Sequence, residues 1–300
     1  MAAFFVSCVV ASVFLLSFAV AILSALPVGF APQSFQSYML QFTVSFAVAL
    51  FFGWFYGRYL EDLPFRALGL WITKNWFRDL VAGLVIGAAS IGLAALVALA
   101  FGGKSFAFND STGAAAIALT LAASLAIFIA GAVFEEVFLR GYPLQTFARA
   151  RLAVLGTILT SLIFATLHNG NPGANPLSWL NTFLAGVWFA AAYFKTRNLW
   201  FPIGLHLAWN WFQGAILGIN VSGLKELTAA PLLRSTDYGP AWLTGADYGL
   251  EGGLACTVAL VASTAAIWYA PFLKPTDELL ALTSGEKLAT NRHEKDTKKN

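Results

Sequence analysis

Apolar runs of about 20 residues recur along nearly the whole chain, and that recurrence limits the fold more than any other feature. A bilayer core takes roughly 20 apolar residues per helix. Backbone polar groups inside lipid must be satisfied within helices or closed barrels. Hydropathy puts eight spans at about 4–25, 38–56, 79–102, 114–146, 152–168, 177–194, 199–219 and 250–270. Charged residues make up 11% of the 300 residues, against roughly 25% in a soluble globular domain. The expected fold is all-α, a polytopic membrane helix bundle. Residues 1–110 are expected to hold the first three helices and an interfacial segment. Residues 111–271 hold helices four to eight, and 272–300 form a polar tail expected to be disordered.

The loop charges agree with eight spans. Fourteen of the 18 Lys and Arg residues fall in 57–78, 147–151, 195–198 and the tail, three fall in the alternate connections, and Arg140 lies inside a span. Lys and Arg concentrate on the cytoplasmic side of short loops, so both termini are expected there. The first run has no basic start and is long for a signal core, so it is read as a retained helix. Segment 57–78 mixes Arg58, Glu61, Asp62 and Arg66 with Leu, Phe and Trp. It reads as an interfacial helix on the inner leaflet, or equally as a plain loop. Cys8 and Cys256 lie in apolar runs and are expected to be buried thiols, not a disulfide. Gly83–Gly87 and Gly214–Gly218 are small-xxx-small pairs suited to close helix contact. A net charge of +3 with no basic cluster gives no reason to expect nucleic acid as a partner. The lipid bilayer is the expected one.

Ionisable groups at membrane depth are costly and usually functional. Of three histidines, His293 is in the polar tail, whereas His168 and His206 lie in spans five and seven. Glu135, Glu136 and Arg140 lie in span four, which Gly131 is placed to break. Residues four apart share a helix face, so Glu136 and Arg140 can pair, and Glu135 points about 100° away. Spans four and five turn near Ala150 and Arg151, so Glu135 and His168 should face each other at similar height. His206 and Asn210 also share a face. A carboxylate and an imidazole can activate a water, and two donors in a dry cavity can stabilise an oxyanion. No serine or cysteine stands beside a base in a nucleophile motif.

Glu135-Glu136-Val-Phe-Leu-Arg140, Phe164-Ala-Thr-Leu-His168 and His206-Leu-Ala-Trp-Asn210 resemble the three motifs of the CPBP family of intramembrane (metallo)proteases. These are the type II CAAX prenyl endopeptidases and bacteriocin-processing, Abi-like proteins. The motifs read E-E-x-x-x-R, F-x-x-x-H and H-x-x-x-N/D, and the likeness covers roughly residues 115–219. It implies an eight-helix intramembrane protease whose site opens to the cytoplasm and whose substrate is a membrane-associated peptide or protein, lipidated in one branch. Glu135 and His168 are implied as the water-activating pair, His206 and Asn210 as the oxyanion hole, and Glu136 and Arg140 as support. The sequence leaves the metal open: Glu135, His168 and His206 can bind a divalent ion such as zinc, and the same parts work without one. A prokaryotic inner membrane is the expected location. A catalytically silent scaffold or immunity-type binding protein is the alternative, and a proton-coupled transporter a third reading.

Overall fold

In the computed structural model, residues 1–25, 30–31 and 33–283 are described. His293 and the tail beyond residue 283 lie outside them. The helices are α1 (Ala2–Ala25), α2 (Phe35–Glu61), α3 (Trp76–Ala100), α4 (Ala114–Glu136), α5 (Tyr142–Arg149), α6 (Ala153–Leu167), α7 (Pro176–Thr196), α8 (Trp200–Trp211), α9 (Ala241–Thr244), α10 (Leu254–Tyr269) and α11 (Asp277–Thr283). Two short strands, β1 (Lys104–Phe108) and β2 (Leu233–Asp237), pair antiparallel with Lys104 opposite Asp237. The bundle is all-α apart from this ribbon.

Four helices, α1, α2, α3 and α7, are long and apolar enough to cross a membrane, and so is the continuous stretch Ala114–Arg149. The other three expected spans fall on shorter helices, with 15 residues in α6, 12 in α8 and 16 in α10. Large apolar side chains face outward, among them Val10, Phe14 and Phe18 on α1. In water such a surface would aggregate; against lipid tails it is solvated.

Span four differs from expectation. Gly131 does not break it, because the ring of Phe42 packs on the glycine within an unbroken helix. The irregularity comes six residues later, as a π turn over Val137–Gly141. Nor does segment 57–78 form a separate interfacial helix. The second helix runs on to Glu61, Asp62 caps it in the left-handed region, and a single 3₁₀ turn, Phe65–Leu68, leads to α3. Residues 277–283, read as disordered tail, form α11, which buries Leu279 and pairs Glu278 with Arg66.

Glycines set how closely α8 approaches. A Cβ on Gly83 would collide with the Phe201 carbonyl, and one on Gly204 with the Leu80 carbonyl, so α3 and α8 meet backbone to backbone. The second glycine pair behaves differently. Gly214 and Gly218 admit Thr228 and the Leu233 carbonyl of the following connection and do not face another helix. Cys8 and Cys256 are free and buried.

The bundle has two distinct ends. At one, Glu61 accepts from Thr146 and Arg149, Leu68 O accepts from Gln145, Leu199 N–H donates to Gly69 O, and Asn198 donates to Asp79. At the other, the β ribbon lies with the connection 217–253, which also reaches Thr120 and Asn181.

Candidate active site

Three helices bring the site together, and their directions fix its depth. From the end where Glu61 meets Arg149, α6 rises to His168 at its C-cap and α8 rises through His206 to Asn210. The fourth helix descends from the ribbon end to Glu135 and Glu136. Glu135, His168, His206 and Asn210 line a single cavity of about 90 Å³. That is well above the roughly 10–15 Å³ that one water needs. Widened turns border the site on both carboxylate and donor sides: π turns follow Glu136 and Trp211, a feature common at functional sites.

His206 sits between the two adjacent carboxylates. Its Nδ1 is 3.0 Å from Glu136 Oε1, and its Nε2 is 3.6 Å from Glu135 Oε2. Glu136 is also held by Arg140, with Nη1 at 3.1 Å, and both side chains are fully buried. The guanidinium lies 4.9 Å from the Phe164 ring and 5.0 Å from Phe189, and Nη2 donates to Gly186 O. Phe189 stacks on His206 with centroids 4.6 Å apart. The expected Glu136–Arg140 pair is therefore present, but it supports His206 as much as it neutralises Glu136.

His168 is oriented by its own helix. Its Nδ1 is 2.8 Å from Phe164 O. A carbonyl only accepts, so Nδ1 carries the proton and Nε2 keeps its lone pair. Glu135 Oε2 is buried with no hydrogen-bond partner among the described residues. A carboxylate oxygen and an imidazole lone pair thus face one cavity.

Other walls were not legible in the motifs. Glu251, just before α10, lines the cavity. Its Oε1 accepts from Trp209 Nε1 at 3.2 Å, and its Oε2 accepts from the hydroxyl and the N–H of Ser222. Trp209 lines the cavity too, as do Asn181 and Ser222. Only Trp209 lies within a motif, and nothing in the spacing marks Glu251 or Ser222.

A second, larger hollow of about 540 Å³ runs between α1, α2 and α6 and reaches Glu135 and His168 from the lipid-facing side. Its walls include Val9, Val13, Tyr38, Phe42, Phe138 and Leu167.

Glu135, His168 and His206, for which the sequence leaves metal binding open, line the same cavity. Each histidine turns Nδ1 to an oxygen acceptor. Among the described residues, no group of three His, Cys, Asp or Glu side chains is placed to hold a metal ion, and no step below runs through a metal.

The cavity walls outside the helices, Asn171, Val221, Ser222, Leu224, Leu227 and Glu251, belong to the connections at the ribbon end. The Lys- and Arg-rich loops are at the opposite end.

No curated protein and no solved structure matches the chain. Residues 117–212, about a third of its length, match the family model described as Type II CAAX prenyl endopeptidase Rce1-like. The chain is a membrane protein, and that family is one of proteases. The matched stretch opens in α4 and closes just past Asn210, so it spans all three motifs. Over residues 117–212 the chain is similar to the Rce1-like type II CAAX prenyl endopeptidases.

Proposed function

We propose that the chain is an intramembrane endopeptidase that hydrolyses a peptide bond of a membrane-associated peptide or protein without a covalent intermediate. The observation that carries this reading is that Glu135, His168, His206 and Asn210, from three helices, line one cavity within the bundle. Glu135 and the Nε2 lone pair of His168 hold a water and take its proton as it attacks the carbonyl carbon. Asn210 Nδ2 and His206 Nε2 donate to the developing oxyanion.

That last role sets a condition on His206. An ionised Glu136 can only accept, so it fixes a proton on Nδ1. For Nε2 to donate as well, the ring must be the imidazolium. After attack, the imidazolium is also positioned to hand a proton toward the leaving amine, with Glu135 returning the water's proton to the ring.

A membrane-anchored peptide is the substrate class that this site suits, since its cavity and the adjoining apolar hollow both lie within the bundle. Processing of a prenylated carboxyl terminus is one branch of that class, and bacteriocin-type processing in a prokaryotic inner membrane is another.

The test is cleavage of membrane peptides by purified protein in detergent. Loss of cleavage in both Glu135→Gln and His168→Ala, with folding retained, supports the peptidase. Partner binding that survives both changes, with no cleavage by the native chain, replaces it with an immunity-type scaffold.

A further inference from the structure

We propose that the site is served from the side of the membrane away from the basic loops. By the distribution of Lys and Arg, that is the non-cytoplasmic side, so the substrates are peptide segments held in, or emerging from, the outer leaflet. The proposal rests on the peptidase reading for the word substrate; the sidedness itself rests on geometry and charge alone.

The charge argument uses the folded ends of the bundle. Among the described residues, nine Lys and Arg side chains belong to the end where Glu61, Arg149, Gly69 and Asn198 meet, and three belong to the ribbon end. Of those three, Lys104 is paired with Asp237 and Lys225 with Asp247. Lys and Arg near helix ends stay on the cytoplasmic side.

The order of groups along each helix gives the second argument. Toward the basic end, Arg140 follows Glu135 on the α4–α5 stretch, Phe164 precedes His168 on α6, and His206 precedes Asn210 on α8. On its basic side the cavity is lined by Phe164 and Phe189, and the Arg140 guanidinium lies against both rings in a fully buried pair with Glu136. A substrate arriving from the basic end would have to break this buried ion pair.

On the ribbon side the cavity is closed by connections instead of helices. The turn Val221–Leu224 lies over it, held by Glu251 through Ser222, by Tyr248 O through Gly223 N–H, and by Asp247 O through Asn220. Short connections tied by a few hydrogen bonds open more readily than a buried core. The larger hollow adjoins the cavity, since Phe42, Glu135, Phe164, His168, Asn171 and Leu224 line both.

Native Cys256 lines the cavity and supplies the probe once Cys8→Ala has removed the other described thiol. A membrane-impermeant methanethiosulfonate reagent is applied to right-side-out and inverted vesicles carrying the full chain. Single-cysteine markers Lys225→Cys at the ribbon end and Arg151→Cys at the basic end report orientation in the same preparations. The expected result is labelling of Lys225→Cys and of Cys256 from the outer face, with Arg151→Cys labelled from the cytoplasmic face only. If Cys256 is too slow to react, Asn171→Cys on the cavity rim takes its place. Labelling of the cavity cysteine only from the cytoplasmic face, or of neither cavity cysteine from the outer face, overturns the proposal. So does a reversed pattern of the two markers. The labelling needs no catalysis and is repeated in Glu135→Gln, so a failed peptidase reading leaves the sidedness result standing.

Discussion

His206 and Glu136 are joined through Nδ1 and Oε1 at 3.0 Å, and the same carboxylate oxygen accepts from Arg140 at 3.1 Å. One buried oxygen thus couples the ion pair of the first motif to the histidine of the third. The guanidinium is needed both as a charge and as a plate between two aromatic rings. Arg140→Ala leaves an uncompensated buried carboxylate, and breaking a buried pair in this way costs about 3–5 kcal/mol. Thermal unfolding in detergent should show that loss. Arg140→Lys should recover only a minor part, because an ammonium cannot stack on Phe164 and Phe189 while reaching Glu136 and Gly186 O.

Glu135 is the cavity's carboxylate without a hydrogen-bond partner among the described residues. Replacing it with Gln keeps the shape and removes the base. Cleavage should fall by about 10²–10⁴-fold, with the unfolding midpoint close to that of the native chain. A large fall in stability together with activity would instead assign Glu135 a structural part.

Much of this arrangement was legible in the sequence, and the reasons differ by residue. Charge inside apolar runs marks Glu135, Glu136, Arg140, His168 and His206 because lipid penalises such groups. Helix periodicity alone pairs Glu136 with Arg140. The antiparallel turn at 150–152 sets Glu135 and His168 at one height, and both line the same cavity. What periodicity could not supply is the contact between helices, by which His206 of α8 comes to lie between two carboxylates of α4. Glu251 and Ser222 were invisible for a different reason. They sit in an irregular connection whose path is set by tertiary hydrogen bonds, and no spacing rule describes it. The tail fared likewise, since a helix of only seven residues gains its order from packing Leu279.

The α3–α8 contact should tolerate no added volume. Gly83→Leu or Gly204→Ala forces a side-chain carbon into a facing carbonyl. Overpacking typically costs about 1–3 kcal/mol, and the displaced α8 carries His206 and Asn210 with it. Cleavage should fall along with the unfolding midpoint. Substitution of Gly92, which has open space around its Cβ position, serves as the control and should leave both unchanged.

Asn210 offers the sharpest reading of the oxyanion hole, because its replacement can reverse the sign of a hydrogen bond. Asn210→Ala removes one donor, and loss of a single such donor lowers kcat by about 10²–10³-fold. Asn210→Asp keeps the size but accepts when ionised and donates only when protonated. Cleavage by the aspartate variant should therefore rise as pH falls through the carboxyl's titration, relative to the native chain, until the catalytic pair is itself protonated. KM should change little in either variant if the bond forms mainly in the transition state. An aspartate variant as active as the native chain at neutral pH would remove Asn210 from the oxyanion role and leave it as a group that merely lines the cavity.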